Sequence, residues 1–354
     1  MSTKQRIPVA VLGATGMVGQ RFIELLQGHP WFELVGLAAS EQHRKQPYGQ
    51  VARWRMAGEM PDSVAALPVV PCRPDELPDV KIVFSALPAE VASEIEAEFA
   101  RAGVAVFSNA KNYRMSPDVP LVVPEVNPDH LDAIPQQRKA RNWSGFIVTN
   151  ANCAATPLVM ALKPLQEAFG LRKVLVTTMQ AISGAGYPGL PSYDILDNAI
   201  PFIGGEEAKL ESETQKMLGS WDESTGFTNA PVVVSAHCNR VATREGHLEC
   251  ASVEFAHEVD TAEILEIWQH FVGEPQRLGL PSAPERALIY RRESDRPQTL
   301  LDRDAGRGMA VTLGRLRACP ILHYKFVLLG HNTIRGAAGG SLLNAELCVS
   351  KGYI

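Results

Sequence analysis

Along the first 110 residues, short apolar runs alternate with stretches of helical spacing. Ile7–Leu12 is apolar, Val18–Leu26 places its apolar positions on one helical face, and Glu33–Ala38 is a second short run. Such runs read as strands and the longer periodic stretch as an amphipathic helix, giving a βαβ unit within 40 residues. Val80–Ala86 continues as a strand, Ala89–Ala102 as a helix and Val104–Phe107 as another strand. This alternation predicts a parallel sheet with helices on both faces. Past about residue 150 the pattern changes. Lys173–Ile182, Pro231–Ala236, Leu248–Phe255 and Tyr324–Leu329 read as strands, several alternating in polarity, and Thr261–Phe271 and Ala337–Val349 as helices. That mixture predicts an α+β unit on a mostly antiparallel or mixed sheet. The polar, basic stretch Gln136–Ser144 reads as a loop before the junction.

A chain of 354 residues fits about two domains and buries a sizeable core without disulfides or structural metal. With 34 basic and 39 acidic residues, the net charge of -5 argues against a nucleic-acid or anionic-membrane binder. The six cysteines, at 72, 153, 238, 250, 319 and 348, contain no CxxC pair and suggest neither a disulfide framework nor a zinc site. Free thiols fit a reducing cytosol. Met1–Arg6 lacks the apolar core of a signal peptide, and the long uncharged stretches 142–162 and 174–193 are broken by polar residues, Gly or Pro. The expectation is a cytoplasmic protein with no membrane span, no nucleic-acid partner and no metal.

Gly13, Gly16 and Gly19 follow the first strand and open the first helix. Glycines at that turn let the backbone approach a pyrophosphate, whose charge meets the helix N-terminus. At the end of the second strand an acid selects NAD, and neutral or basic groups select NADP. Here Ser40 stands at the tip with Arg44 and Lys45 nearby, which favours NADP, whereas Glu41 opposes it.

One cysteine differs from the rest. Pro157 belongs in a first helical turn, so a helix starts near residues 153–156 and Cys153 sits at its N-terminus, where a lowered thiol pKa is expected. The other five read as small packing residues. A thiolate nucleophile in a nucleotide-binding protein suggests attack on an activated acyl carbon, followed by hydride delivery to the thioester. A histidine best carries the accompanying proton. His247 follows Gly246 between two strands, with Arg240 nearby, whereas His29, His130, His257 and His270 read as surface or cap residues.

These residues lie in motifs. Gly13–Gly19, Ser108–Arg114, Asn152-Cys153, Gln180–Gly186, Arg240 with Gly246-His247, and Asn332–Gly339 occur in one order, and together the chain resembles the aspartate-β-semialdehyde dehydrogenases of the archaeal and fungal branch. The resemblance runs from Val9 to Glu346. It implies an α/β fold: a Rossmann-type dinucleotide-binding domain over 1–150, completed by a C-terminal helix over 336–354, and an α+β catalytic and oligomerisation domain over 151–335. The implied activity is NADPH-dependent reduction of L-aspartyl 4-phosphate to L-aspartate 4-semialdehyde, through a cysteine thioester, in lysine, methionine and threonine synthesis. The implied partners are this small acyl phosphate and further copies of the chain, as a homodimer or homotetramer.

By the same resemblance Cys153 is the nucleophile, His247 the acid/base and Gln180 the residue that orients the acyl group. Arg114 and Lys209 hold phosphate, Arg240 grips the substrate carboxylate, and Glu206 faces the amino group, with Glu207 as the alternative register. Gly13, Thr15, Gly16, Met17 and Val18 form the NADP turn and Ser40 meets the 2′-phosphate. Ser183 and Gly184 lie near the nicotinamide ribose, and Asn332 contacts the nicotinamide amide. Gln42 and His43 depart from the arginine and serine common among relatives, which leaves use of NAD beside NADP open. Malonyl-CoA reduction uses the same fold and thiol and stays as the alternative acyl chemistry. N-acetyl-γ-glutamyl-phosphate reduction fits less well, because that substrate offers Glu206 no free amino group. A catalytically silent nucleotide-binding regulator is the reading of another class, and the intact Cys153 and His247 oppose it.

Overall fold

The computed structural model describes residues 6–354 and contains two seven-stranded sheets. The expectation drawn from residues 1–5 lies outside the described residues. The first sheet comprises β1 (Ile7–Leu12), β2 (Phe32–Ala39), β3 (Val69–Pro71), β4 (Ile82–Ser85), β5 (Ala105–Ser108), β6 (Leu121–Val122) and β7 (Phe146–Asn150). Its order is β3-β2-β1-β4-β5-β7-β6, parallel throughout. Every residue of β4, β5 and β7 is buried, as strands covered on both faces must be.

The second sheet is mixed, as expected. It contains β8 (Leu171–Gln180) and β9 (Ala199–Ile200) and, beyond a separate hairpin of β10 (Ser220–Asp222) and β11 (Gly226–Thr228), β12 (Val233–Val241) and β13 (His247–Phe255). It is completed by β14 (Leu288–Arg291), β15 (Val311–Ala318) and β16 (Tyr324–Gly330). The order is β14-β15-β16-β13-β8-β12-β9; β8 runs parallel to β12 and β14 to β15, and the other pairs are antiparallel. One face packs against the helices Ala155–Phe169, Glu206–Met217 and Thr261–His270. The opposite face leaves Leu175, Val233 and Cys250 exposed.

The chain then returns to the first sheet. After β16, a π-helical turn, Ile334–Ala338, leads into the helix Gly339–Ser350, whose Leu342, Leu343, Leu347 and Cys348 join the core of β1, β4, β5 and β7. Beneath that turn lies a fully buried ion pair: Arg335 donates from Nη1 to Glu125 Oε1 at 2.9 Å and from Nη2 to Glu125 Oε2.

Three expectations need correction. Gln136–Ser144 is not a loop, because Ile134–Arg141 is helical. Pro135 suits the first turn, Ile134 and Gln137 supply a narrow buried face, and Asn142 in the left-handed conformation ends the helix. Cys250 is exposed rather than packed, since alternation along β13 turns it to the open face. His29 and His130 are buried: His29 pairs with Glu346 through Nε2 at 2.9 Å, and His130 Nδ1 accepts from the Asn127 amide at 2.9 Å. Among the described residues no helix is long and apolar enough to cross a membrane, and no group of three His, Cys, Asp or Glu could hold a metal ion.

Removing one partner of a buried ion pair leaves the other charge unmet. Glu125→Ala is therefore expected to destabilise the fold by about 3–5 kcal/mol, read from denaturant unfolding. Arg335→Met together with Glu125→Leu should restore much of the loss.

Candidate active site

Between the two sheets lies a cleft of about 870 Å³. The glycine turn forms one wall, the Cys153 loop the floor, and the segments after β8 and β16 the far side. The glycines divide the work. A Cβ at Gly13 would stand 2.6 Å from the Ala86 carbonyl oxygen, and one at Gly19 would stand 2.3 Å from that of Gly13, so both serve backbone packing. Gly16 meets nothing closer than 3.5 Å and opens into the cleft. It caps the helix Met17–Leu26 with no side-chain hydrogen bond, leaving N–H groups free at the cleft. That is the cradle a dinucleotide pyrophosphate requires.

Asn152 builds the loop around the sulfur. Its Oδ1 accepts from the N–H groups of Ala154 at 2.8 Å and Ala155 at 3.1 Å, fixing the start of the helix Ala155–Phe169. Cys153 Sγ then faces His247 Nε2 at 3.2 Å. His247 Nδ1 accepts from the Ala181 N–H at 3.1 Å. The neutral imidazole thus carries its proton on Nε2, aimed at the sulfur.

Electrostatics here depart from the expectation for a helix N-terminus. Burial, reinforced by Glu206, pushes the Cys153 thiol up to about 12 against the pull of Arg114 and Arg240. Burial, with Arg240 beside it, pushes His247 down to about 3. Low polarity penalises thiolate and imidazolium alike, so the resting pair is neutral. The helix terminus does not reverse this, because Asn152 already takes two of its N–H groups.

The charged side chains form a rim. Arg114 Nη1 bonds Glu213 Oε1 at 2.9 Å and its Nη2 donates to the Asn109 carbonyl at 2.9 Å. Lys216 steadies the following loop by donating to the carbonyls of Arg114, Ser116 and Val119; burial pushes its ammonium down to about 8. Glu206 accepts from Asn152 Nδ2 at 2.7 Å and pairs with Lys209 at 3.0 Å. Burial raises the Glu206 carboxyl, but these two partners outweigh it and hold the group below its usual range. Glu207 instead accepts from the Cys238 N–H at 3.1 Å, so Glu206 is the acid that faces the cleft. Arg240 gives Nη1 to the Ala181 carbonyl at 2.6 Å.

Cys153, Gln180, Arg114, Glu206, Lys209, Arg240, Gly16, Met17, Val18, Ser183, Gly184 and Asn332 all line this cleft, and His247 reaches it through the sulfur. Thr15 lies in a neighbouring hollow and Gly13 inside the turn. Ser40 is exposed at the end of β2, where Arg44 and Arg73 both pair with Glu76. The Asn332 amide, expected at the nicotinamide, is already engaged: Oδ1 accepts from the Gly246 N–H at 2.8 Å and Nδ2 donates to Ser183 Oγ at 2.8 Å. Sequence reasoning missed Lys111 on the rim, Glu213 behind Arg114 and Gly336 beneath the cysteine. Lys111 lay within the quoted Ser108–Arg114 motif; Glu213 gave no signal apart from its helix.

A cysteine–histidine pair on an α+β insert, opening onto a dinucleotide cradle, defines an acyl-reducing dehydrogenase site. The chain belongs to the semialdehyde dehydrogenase family: residues 8–134 match its NAD binding domain and 162–335 its dimerisation domain. It is 52% identical to the aspartate-semialdehyde dehydrogenase of Methanothermobacter thermautotrophicus, over 96% of this chain and 98% of that one. The structure of the Candida albicans aspartate semialdehyde dehydrogenase with NADP superposes with a TM-score of 0.91 at 42% identity, covering 99% of this chain and 100% of that one. A malonyl-CoA reductase (NADP) of Metallosphaera sedula is 42% identical over 99% of each chain.

A neutral resting pair predicts how Cys153 responds to pH. Its alkylation by iodoacetamide, followed by mass spectrometry, should be slow near pH 7 and keep rising with pH toward about 12 as the thiol ionises. A rate already level below pH 7 would reveal a thiolate at rest.

Proposed function

We infer that the protein reduces L-aspartyl 4-phosphate to L-aspartate 4-semialdehyde with NADPH, releasing phosphate, by way of a thioester on Cys153. The observation that carries this reading is the 3.2 Å contact between Cys153 Sγ and His247 Nε2 inside a cation-rimmed cleft. The archaeal and fungal relatives bear the matching name, and the Candida structure contains NADP.

The steps follow from the residues. Arg240 binds the substrate α-carboxylate and Glu206 its ammonium, while Arg114, Lys111 and Lys209 receive the phosphate. Gln180 orients the acyl group. Cys153 Sγ attacks the acyl carbon; an S–C bond forms, the C–O bond to phosphate breaks, and the thiol proton leaves with the phosphate oxygen. NADPH, held at the glycine turn, would supply the hydride that reduces the thioester. His247 Nε2–H donates to the oxygen that becomes anionic, lowering the barrier as a placed donor does. Collapse of the oxyanion breaks the C–S bond and frees the aldehyde, and the sulfur left as thiolate takes up one proton from water by way of His247, which ends neutral as it began. For the cofactor, Gly16, Met17 and Val18 meet the pyrophosphate, packed from behind by Gly13 and Thr15. Ser40 meets the 2′-phosphate, and Ser183, Gly184 and Asn332 frame the nicotinamide end.

The buried Glu206 carboxylate favours this substrate over malonyl-CoA, which brings no ammonium to it. We further propose that 1–150 with 336–354 acts as the cofactor-holding unit and 151–335 as the catalytic and oligomerisation unit. The assembly is a homodimer or homotetramer working in the cytoplasm.

Initial rates with β-aspartyl phosphate and malonyl-CoA, each with NADPH and NADH, test the reading directly. Turnover is expected with the acyl phosphate and NADPH; its absence, in both this direction and the phosphate-dependent reverse, would sink the assignment. Cys153→Ala should abolish turnover while NADPH still binds, and His247→Gln should slow it by about 100-fold.

A further inference from the structure

The residue before the Gly246-His247 pair makes a contact that the chemistry above does not use. Glu245 lies in the turn between β12 and β13, yet its Oε1 accepts from Arg21 Nη2 at 2.7 Å. Arg21 belongs to the helix Met17–Leu26, whose N-terminus opens the dinucleotide cradle. The two side chains are only 12% and 13% exposed, so the pair is shielded from water along most of its length.

The surroundings hold Glu245 in place. Thr333 Oγ1 lies 3.4 Å from Oε1, His331 Nε2 3.5 Å from Oε2, and Arg303 Nη1 3.4 Å from the Glu245 carbonyl. Glu24 takes the other arm of Arg21 at 2.7 Å. The next residue, Gly246, has φ of +97°, and its N–H is held by Asn332. From Arg21 to His247 there is thus a continuous path of one ion pair and two peptide units, the first of which, Glu245–Gly246, is held by Asn332 at its N–H and by Arg303 at its carbonyl. The His331 contact and Arg21 hold the Glu245 carboxyl down at about 2, so the negative end of the pair persists throughout the working range of the enzyme.

We propose that Arg21 and Glu245 are positioning residues that register the cofactor-binding helix against the strand carrying His247, so that cofactor occupancy sets the alignment of His247 with Cys153. This rests on the functional reading above. A shift of the helix as its N-terminus takes up a pyrophosphate is passed to the turn at Glu245, and misplacement of a catalytic group by about 1 Å can cost a large rate factor.

The test compares wild type with Arg21→Met, Glu245→Gln, the double variant and Arg21→Lys. Each single variant is expected to lower kcat about tenfold with KM for the acyl phosphate within about twofold of wild type. The double variant should be no slower than the slower single, as expected for one shared interaction, and Arg21→Lys should keep most of the rate. The second readout is independent of turnover: the rate of Cys153 alkylation with and without NADPH. NADPH should change that rate in wild type and leave it unchanged in Arg21→Met and Glu245→Gln, with NADPH binding checked by fluorescence. Additive losses in the double variant, an unaltered kcat, or an NADPH effect that is absent from wild type or persists in the variants would each overturn the proposal. Wild type inactive on the acyl phosphate would instead refute the functional reading, and the alkylation arm would still decide on the pair.

Discussion

The whole site depends on one close crossing of the backbone. The π-helical turn Ile334–Ala338 lies on the Cys153 loop so tightly that a Cβ at Gly336 would stand 2.7 Å from that of Cys153 and 2.8 Å from its Cα. Only a residue without a side chain permits that distance. Asn150 locks the crossing by donating to the carbonyls of Gly336 and Ala337, 186 and 187 residues away in sequence. Arg335, the neighbour of Gly336, extends to Glu125 behind β6. The end of β7, the cysteine loop, and the return from β16 are thereby made one rigid piece. The sulfur keeps its place on the cleft floor because its loop is anchored to that piece.

Glu249, buried with neither carboxyl oxygen hydrogen-bonded, is pushed by burial well up toward its neutral form, whereas the charges on the cleft rim each have a partner, as low polarity demands. They are not equally satisfied. Arg114 is held by a carboxylate and a carbonyl, and Glu206 by an amide and an ammonium. Among the described residues Arg240 has only the Ala181 carbonyl, and burial pushes its guanidinium below its usual range. An incoming carboxylate would relieve Arg240 most, whereas a phosphate at Arg114 or Lys209 must compete with Glu213 or Glu206.

The parts of this arrangement legible in the sequence were those whose physics is local. The β–glycine–α unit at Ile7–Leu26 declares itself because a strand, a tight turn and an amphipathic helix each leave a short-range pattern. Pro157 likewise located the helix start after Cys153 to within a residue or two. The helix Ile134–Arg141 was missed because its buried face is only Ile134 and Gln137, too narrow a stripe to show as periodicity. Much of the second sheet was foreseen, but β9, β14 and β15 were not: Ala199–Ile200 is two residues long, and Leu288–Arg291 and Val311–Ala318 carry arginines and glycine that mask strand character. The site residues came from motifs. What the motifs could not convey was pairing: that Lys209 is matched to Glu206, that Asn332 is committed to Gly246 and Ser183, and that Glu245 reaches another domain's helix.

The thiol illustrates the same divide between local pattern and surroundings. Sequence context placed Cys153 at a helix N-terminus and implied a thiolate, a sound inference when backbone donors are free and water is near. The fold weakens both conditions: Asn152 takes two of the donors, and burial disfavours the charged forms of the sulfur and the imidazole together. Burial thus favours a neutral pair at rest, and in the proposed reaction the thiol proton leaves with the phosphate oxygen. The cations that would receive the acyl phosphate, Arg114, Lys209 and Arg240, are local to the cleft, and the overall charge of -5 conceals them entirely.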